Sequence, residues 1–256
     1  MSDIPRAVIP FVLDRVAAEA ALSRWVEGLW FVPRGIRRPG AFENLRPVFV
    51  PYRVFEADTV SHYEGWHGEH HWVERGVHDA DGRPDLTGSH ETRETSWRRV
   101  RGTLERHYGD VVVCAATRPE GADRLDSWLL NKVVAHTPEA VQGVEVAAVD
   151  ASAEAGWERA EQVMRRSIEW ACAEEIGGDE QRVETVETTL SNPVHTLALM
   201  PVWAASYRFR GREWPVVVNG RTGRVEGQHP YSRVRLAAAF AGLVALAELT
   251  RQVFFG

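Results

Sequence analysis

The chain has 256 residues, a net charge of −6 and 26% charged residues, so it is long enough to bury a sizeable core and ordinary in composition for a globular protein. Its acidic balance argues against a general nucleic-acid-coating role, which rests on a basic surface. Two cysteines, Cys114 and Cys172, are too few for a disulfide framework and make no Cys-x-x-Cys zinc pair. A reducing compartment fits, and the polar residues 1–6 open no secretory signal.

Residues 10–28 predict a first helix. Phe11, Val12, Val16, Ala20 and Val26 recur at roughly helical spacing, with Pro10 in the first turn and Gly28 at the end. Residues 33–44, rich in Pro, Gly and Arg, read as a loop, and 47–63 as a strand carrying Phe49, Val54 and Phe55. The polar, His-rich residues 62–90, with the Asp81-Gly82 turn signal, read as a long connection. Residues 91–107 alternate as a polar strand with one solvated face, and 110–117 read as a short buried strand. An amphipathic helix is expected at 123–134 and a strand at 144–149. A long helix spans 152–175, closed by Gly177-Gly178, with Trp157, Val163, Met164, Ile168 and Cys172 on its inner side.

Residues 181–189 predict an edge strand, Asn192-Pro193 a turn and 196–210 a central strand. Gly211 turns the chain into 213–218. The Asn219-Gly220 pair then suits a hairpin of positive-φ residues, and Gly223 makes a longer bulged loop equally compatible. Residues 224–227 return as the last strand. Residues 233–256 are helical by composition, but the uncharged run 236–247 is shorter than the roughly 20 apolar residues of a membrane span. Packing on the protein itself, lying on a membrane surface and making an oligomer contact are the three readings of that helix.

Val50-Pro51-Tyr52-Arg53-Val54 aligns with Met200-Pro201-Val202-Trp203-Ala204, each after a helix and before a Tyr- and Gly-containing strand. Proline twice in that setting suggests an internal duplication. The fold class expected is therefore α+β: two related halves, each a long helix packed on an antiparallel sheet, at residues 1–145 and 146–232, followed by a C-terminal helix at 233–256.

At these Pro-aromatic strands and the ending VNGRTGRVEGQHPYS, the chain resembles a bacterial family of unknown biochemical role. Its members usually begin with a transcription-factor-IIB-type zinc ribbon and are often described as primosomal protein N′-like. The resemblance spans residues 8–235, and its specific motifs lie at 48–57 and 199–232. The Cys-x-x-Cys pairs of the ribbon are absent here, and so is any Gly-x-x-x-x-Gly-Lys-Ser/Thr nucleotide loop. The helix-then-hairpin unit with its NGxTG turn also looks like the small PepSY and cystatin-like modules, which commonly bind, inhibit or scaffold.

His62, His67, His70, His71, His78 and His90, with Glu64, Glu69 and Asp79 among them, carry ligand chemistry, and His67, His70 and His71 are the weak metal candidates. The order His67-Gly-Glu-His70-His71 does not match the helical His-Glu-x-x-His of zinc proteases, and a solvated polar loop is the favoured reading. No Gly-x-Ser-x-Gly is present, and Cys114 has no electropositive neighbours in sequence. No catalytic residue and no cofactor are assigned. Of the ten tryptophans, Trp66 and Trp72 are expected at the surface, and with Phe254 and Phe255 they are the partner-binding candidates.

The function expected is non-catalytic: a cytoplasmic adaptor or assembly component that binds another protein or itself, with membrane association through the C-terminal helix as a further contact. A metal-dependent enzyme using the His62–His90 segment is the alternative.

Overall fold

The computed structural model describes residues 4–29, 42–78, 84–126 and 128–229. Strand dominates. Three strands are far longer than the five or six residues common in globular proteins: β2 (Glu43–His78, 36 residues), β3 (Pro84–Cys114, 31 residues) and β6 (Glu180–Phe209, 30 residues). Short strands complete the sheet: β1 (Ala7–Val8), β4 (Val134–Ala135), β5 (Glu145–Val146), β7 (Arg212–Asn219) and β8 (Val225–Gly227). The α-helices among the described residues are α1 (Arg15–Gly28) and α2 (Ala153–Ile176). The hydrogen-bonded order is β3-β2-β6-β1-β4, with β5 joined to β2, β7 to β6 and β8 to β7. Pairing is mixed: β1 with β6 and β5 with β2 are parallel, whereas β1 with β4, β6 with β7 and β7 with β8 are antiparallel.

This overturns the expected fold class. Over the described residues the chain is mostly sheet, with a large mixed sheet and two α-helices, and not an α+β duplication of two long-helix-on-antiparallel-sheet halves. The aligned Pro51 and Pro201 both lie inside long strands, where their carbonyls accept from the Ala115 and Gly220 N–H groups. Proline has no N–H to give, so the two motifs mark positions where the strand needs only an acceptor. Residues 62–78 and 84–90, expected as a loop, are strand, and the Asp81-Gly82 turn lies outside the described residues. Asn192 does not turn the chain either. It takes φ 52° while its side chain donates to Asp58 Oδ2 at 3.1 Å, and β6 continues through it. In place of the helix expected at 123–134 are two 3₁₀ turns, Ala122–Arg124 and Leu130–Lys132. Their apolar residues share no face: Leu125 is buried and Leu129 is 45% exposed. The expected C-terminal helix at 233–256 lies outside the described residues.

The chain divides into two compact units built from interleaved segments. The first comprises Met1–Arg53, Val113–Gly156 and Thr196–Gly256. There, Asp14 caps α1 by accepting the Ala17 N–H at 2.8 Å. Ala18, Ala21, Leu22 and Val26 of the helix pack on Trp203 and Tyr207 of β6 and on Val216 and Val218 of β7. The Trp203 indole donates to the Leu13 carbonyl at 3.0 Å, fixing the entry to α1. Arg210 and Gly211 both take positive φ (52° and 76°), as a two-residue hairpin turn requires, and join β6 to β7 in the register Phe209↔Arg212.

The second unit comprises Val54–Val112 and Trp157–His195. Thr59 donates to the Arg106 carbonyl and His62 meets Thr103, so β2 and β3 run antiparallel. Asp58 to Asn192 and Ser61 to Thr188 show the same sense for β2 and β6. Helix α2 buries Ala160, Met164, Ile168, Ala171 and Cys172, a stripe at helical spacing. On β2 the buried positions alternate: Phe55, Ala57, Thr59, Ser61 and Tyr63. Phe55 meets the Trp157 ring of α2 at 5.8 Å, and Gly65, further along the same face, lies against Ile176. Over residues 55–72 the odd-numbered positions of β2 therefore face the helix, and the even-numbered ones face away from it.

Candidate interaction surface

The face of β2 turned away from α2 carries His62, Glu64, Trp66, Gly68, His70 and Trp72. Trp72 is 66% exposed and Trp66 is 36% exposed. Gly68 makes room for a third tryptophan, since a Cβ there would stand 2.9 Å from the Trp97 ring on β3. The Arg182 guanidinium of β6 lies 3.9 Å from the centroid of Trp97, and that of Arg99 lies 6.0 Å from the centroid of Trp66. Arg99 donates to Glu64 at 2.8 Å and to Glu184 at 3.3 Å, and Arg101 stands 3.8 Å from Glu64. These pairs are exposed, so each contributes little stability. What they provide is a patch of tryptophan, arginine and carboxylate spread over three strands, the residue mix enriched at protein interfaces.

The histidines do not converge. His67 turns to the α2 side, where Nδ1 lies 2.7 Å from the Ile176 carbonyl and Nε2 lies 3.1 Å from Glu69. His70 points to the opposite face, with Nε2 2.8 Å from Glu180 Oε1. His71 is exposed, and the side chains of His78 and His90 lie outside the described residues. Among the described residues no group of three His, Cys, Asp or Glu side chains is placed to hold a metal ion. Among the described residues, His62 and His107 each supply only part of a nucleophilic triad. His62 meets a hydroxyl, that of Thr103, but no carboxylate, while His107 is held by the Asp58 carboxylate at 2.8 Å and meets no hydroxyl.

In the first unit a groove of about 690 Å³ opens beside β2, β6 and β7. Its walls include Arg46, Glu145, Asp150 and Glu213, with Ala204 and Ser206 among the smaller residues. Arg46 is bonded to Glu145, and Asp150 accepts from both the N–H and the hydroxyl of Thr117. Arg46 and Glu145 thus neutralise each other within the wall. Cys114, also in this unit, is 7% exposed, and burial pushes its thiol up to about 11. Burial raises the Cys172 thiol as well. Both thiols are expected to resist iodoacetamide in the native protein at about pH 8 and to react after denaturation. Native labelling as fast as that of a small free thiol would contradict this.

Of the candidates read from the sequence, Trp66 and Trp72 lie on the open β2 face, and Phe254 and Phe255 lie outside the described residues. The partners Trp97, Arg99 and Arg182 had no signal in the sequence, because they meet only once three strands are side by side.

No protein family matches the chain, and no solved structure matches it. It is similar to the uncharacterized protein YdjG of Bacillus subtilis, 22% identical over 249 residues, covering 93% of this chain and 67% of that protein. Among the described residues no helix is long and apolar enough to cross a membrane.

Proposed function

We propose that the chain is a non-catalytic binding component, an adaptor or assembly subunit, whose contact surface is the open face of β2, β3 and β6. The observation that carries this reading is Trp72, 66% exposed, three positions along the same strand face from Trp66, the ring beside Arg99. Large aromatics left in water next to arginine gain most when a partner covers them. The separate fates of His67 and His70 take support away from a metal enzyme built on this segment. Two buried free thiols suit the cytoplasm.

The test is a native pull-down with the tagged chain against its Trp66→Ala/Trp72→Ala double variant. Both sites are exposed enough for the variant to keep its circular dichroism and melting behaviour. A specific partner retained by the parent chain and lost from the variant is the expected result. The same partners on both proteins, or none on the parent even after crosslinking, would overturn the assignment.

A further inference from the structure

The ring of His67 is bonded on both sides to groups that only accept. Nδ1 lies 2.7 Å from the Ile176 carbonyl, at the last residue of α2, and Nε2 lies 3.1 Å from a Glu69 carboxylate oxygen. A neutral imidazole has one N–H, so in that form one contact would set a lone pair against an oxygen. The imidazolium satisfies both. It also places a positive charge at the negative end of the α2 dipole.

The turn that follows is tied to the same stretch of β2. Gly177 and Gly178 take φ of 65° and 91°, and a Cβ at Gly178 would come 2.7 Å from the Gly68 carbonyl and 3.1 Å from the His67 ring. The Asp179 N–H donates to that Gly68 carbonyl at 2.9 Å, and Asp179 Oδ2 accepts the His70 N–H at 2.8 Å. We propose that His67 is a proton-operated latch: as the imidazolium it fastens the α2–β6 turn to β2, and on losing its Nε2 proton to water it gives up the Glu69 bond and the positive charge facing the carbonyl end of α2, and that turn loosens.

The charges around the ring are consistent with this. Glu69 on its own strand favours the proton, and Arg98 on β3 opposes it. Helix α2 presents its carbonyl end, and the carboxylates of Asp179 in the following turn and of Glu180 at the start of β6 are engaged by His70. The Ile176 carbonyl first, and Glu69 second, raise the His67 pKa above its ordinary value. A raised folded-state pKa means that the stabilisation is complete below the unfolded value, about 6.5, and is lost as pH rises through the folded one. The inference concerns the second unit alone and holds whether or not the tryptophan face takes a partner.

The experiment follows two readouts in the full chain across the neutral range: nitrogen-15 shifts of the His67 ring, and hydrogen exchange of the Asp179 amide corrected for intrinsic rate. The ring is expected to be doubly protonated at pH 6.5, with a midpoint above that value, and Glu69→Gln should lower the midpoint. Asp179 protection should fall as pH passes the midpoint, in total by about tenfold for each unit by which the midpoint exceeds 6.5. His67→Gln should abolish that pH dependence. A midpoint at or below 6.5, flat Asp179 protection through the titration, or an unchanged pH dependence in His67→Gln would each overturn the latch.

Discussion

Gly65→Ala is expected to destabilise the protein by about 3 kcal/mol, the upper end of what overpacking usually costs. A Cβ at that position would stand 2.5 Å from the Arg182 carbonyl oxygen and 2.5 Å from Ile176 Cδ1, well inside ordinary contact. The isoleucine end could rotate away. The carbonyl could not, because it belongs to the β6 backbone, and moving it disturbs the strand beside β2. Arg182 also covers Trp97, so the displacement would reach the opposite face of the sheet. Gly28→Ala is the control: nothing lies within 4 Å of a Cβ there, at the end of α1. Its stability should stay within about 0.5 kcal/mol of the parent. Urea midpoints decide it, and a Gly65→Ala midpoint indistinguishable from that of Gly28→Ala would show that β6 is not held close to β2 at this point.

Gly65 also shows where the reading of the sequence stops. A lone glycine in a strand hints at a close approach, but only when the segment is recognised as strand. Residues 62–78 hid that. They are crowded with His, Glu and Gly, and the inner face of β2 carries Thr59, Ser61 and Gly65 where a simple core strand would carry valines. The buried hydroxyls are satisfied by the Arg106 carbonyl and by Thr188, partners 47 and 127 residues away that no local pattern announces. Features set by local backbone demands were legible: the end of α2 at the glycine pair, the hairpin at Gly211 and the loop after Asn219. Features set by pairing across long stretches of chain were not, and the fold class went wrong with them.

The candidate site divides the same way. Trp66 and Trp72 stood out as tryptophans in a polar stretch, whereas Arg99 and Arg182 were two arginines among many. The histidines misled through proximity in sequence. On a strand, residues three apart point to opposite faces, so His67 and His70 were sent to different environments by the same pleat that aligned Trp66 with Trp72.

Asn219→Ala should cost about 3 kcal/mol, although it removes only a small polar side chain. Asn219 is fully buried at the end of β7. Its amide donates to the Asp126 carbonyl at 3.1 Å, and its oxygen accepts the N–H groups of Arg221 at 3.0 Å and Thr222 at 3.1 Å. Truncation leaves three backbone groups without their partner, and leaving a buried polar group unpaired costs about 1–3 kcal/mol, less where water can enter. Neighbouring constraints prevent an easy repair. Gly220 cannot shift far, because a Cβ there would already lie 2.7 Å from the Phe11 ring and 2.9 Å from the Pro201 carbonyl. The two backbone bonds that close the loop, Gly223 N–H to the Asn219 carbonyl and Asn219 N–H to the Arg224 carbonyl, hold the strands in register but do not reach the orphaned groups. The loss should therefore appear twice: as a lower urea midpoint and as faster hydrogen exchange at the Arg221 and Thr222 amides. Thr222→Ala, at an exposed position in the same loop, should change stability by no more than about 0.5 kcal/mol. If Asn219→Ala is no more damaging than Thr222→Ala, the side chain does not organise the loop, and the strand pair would have to be closed by its backbone bonds alone.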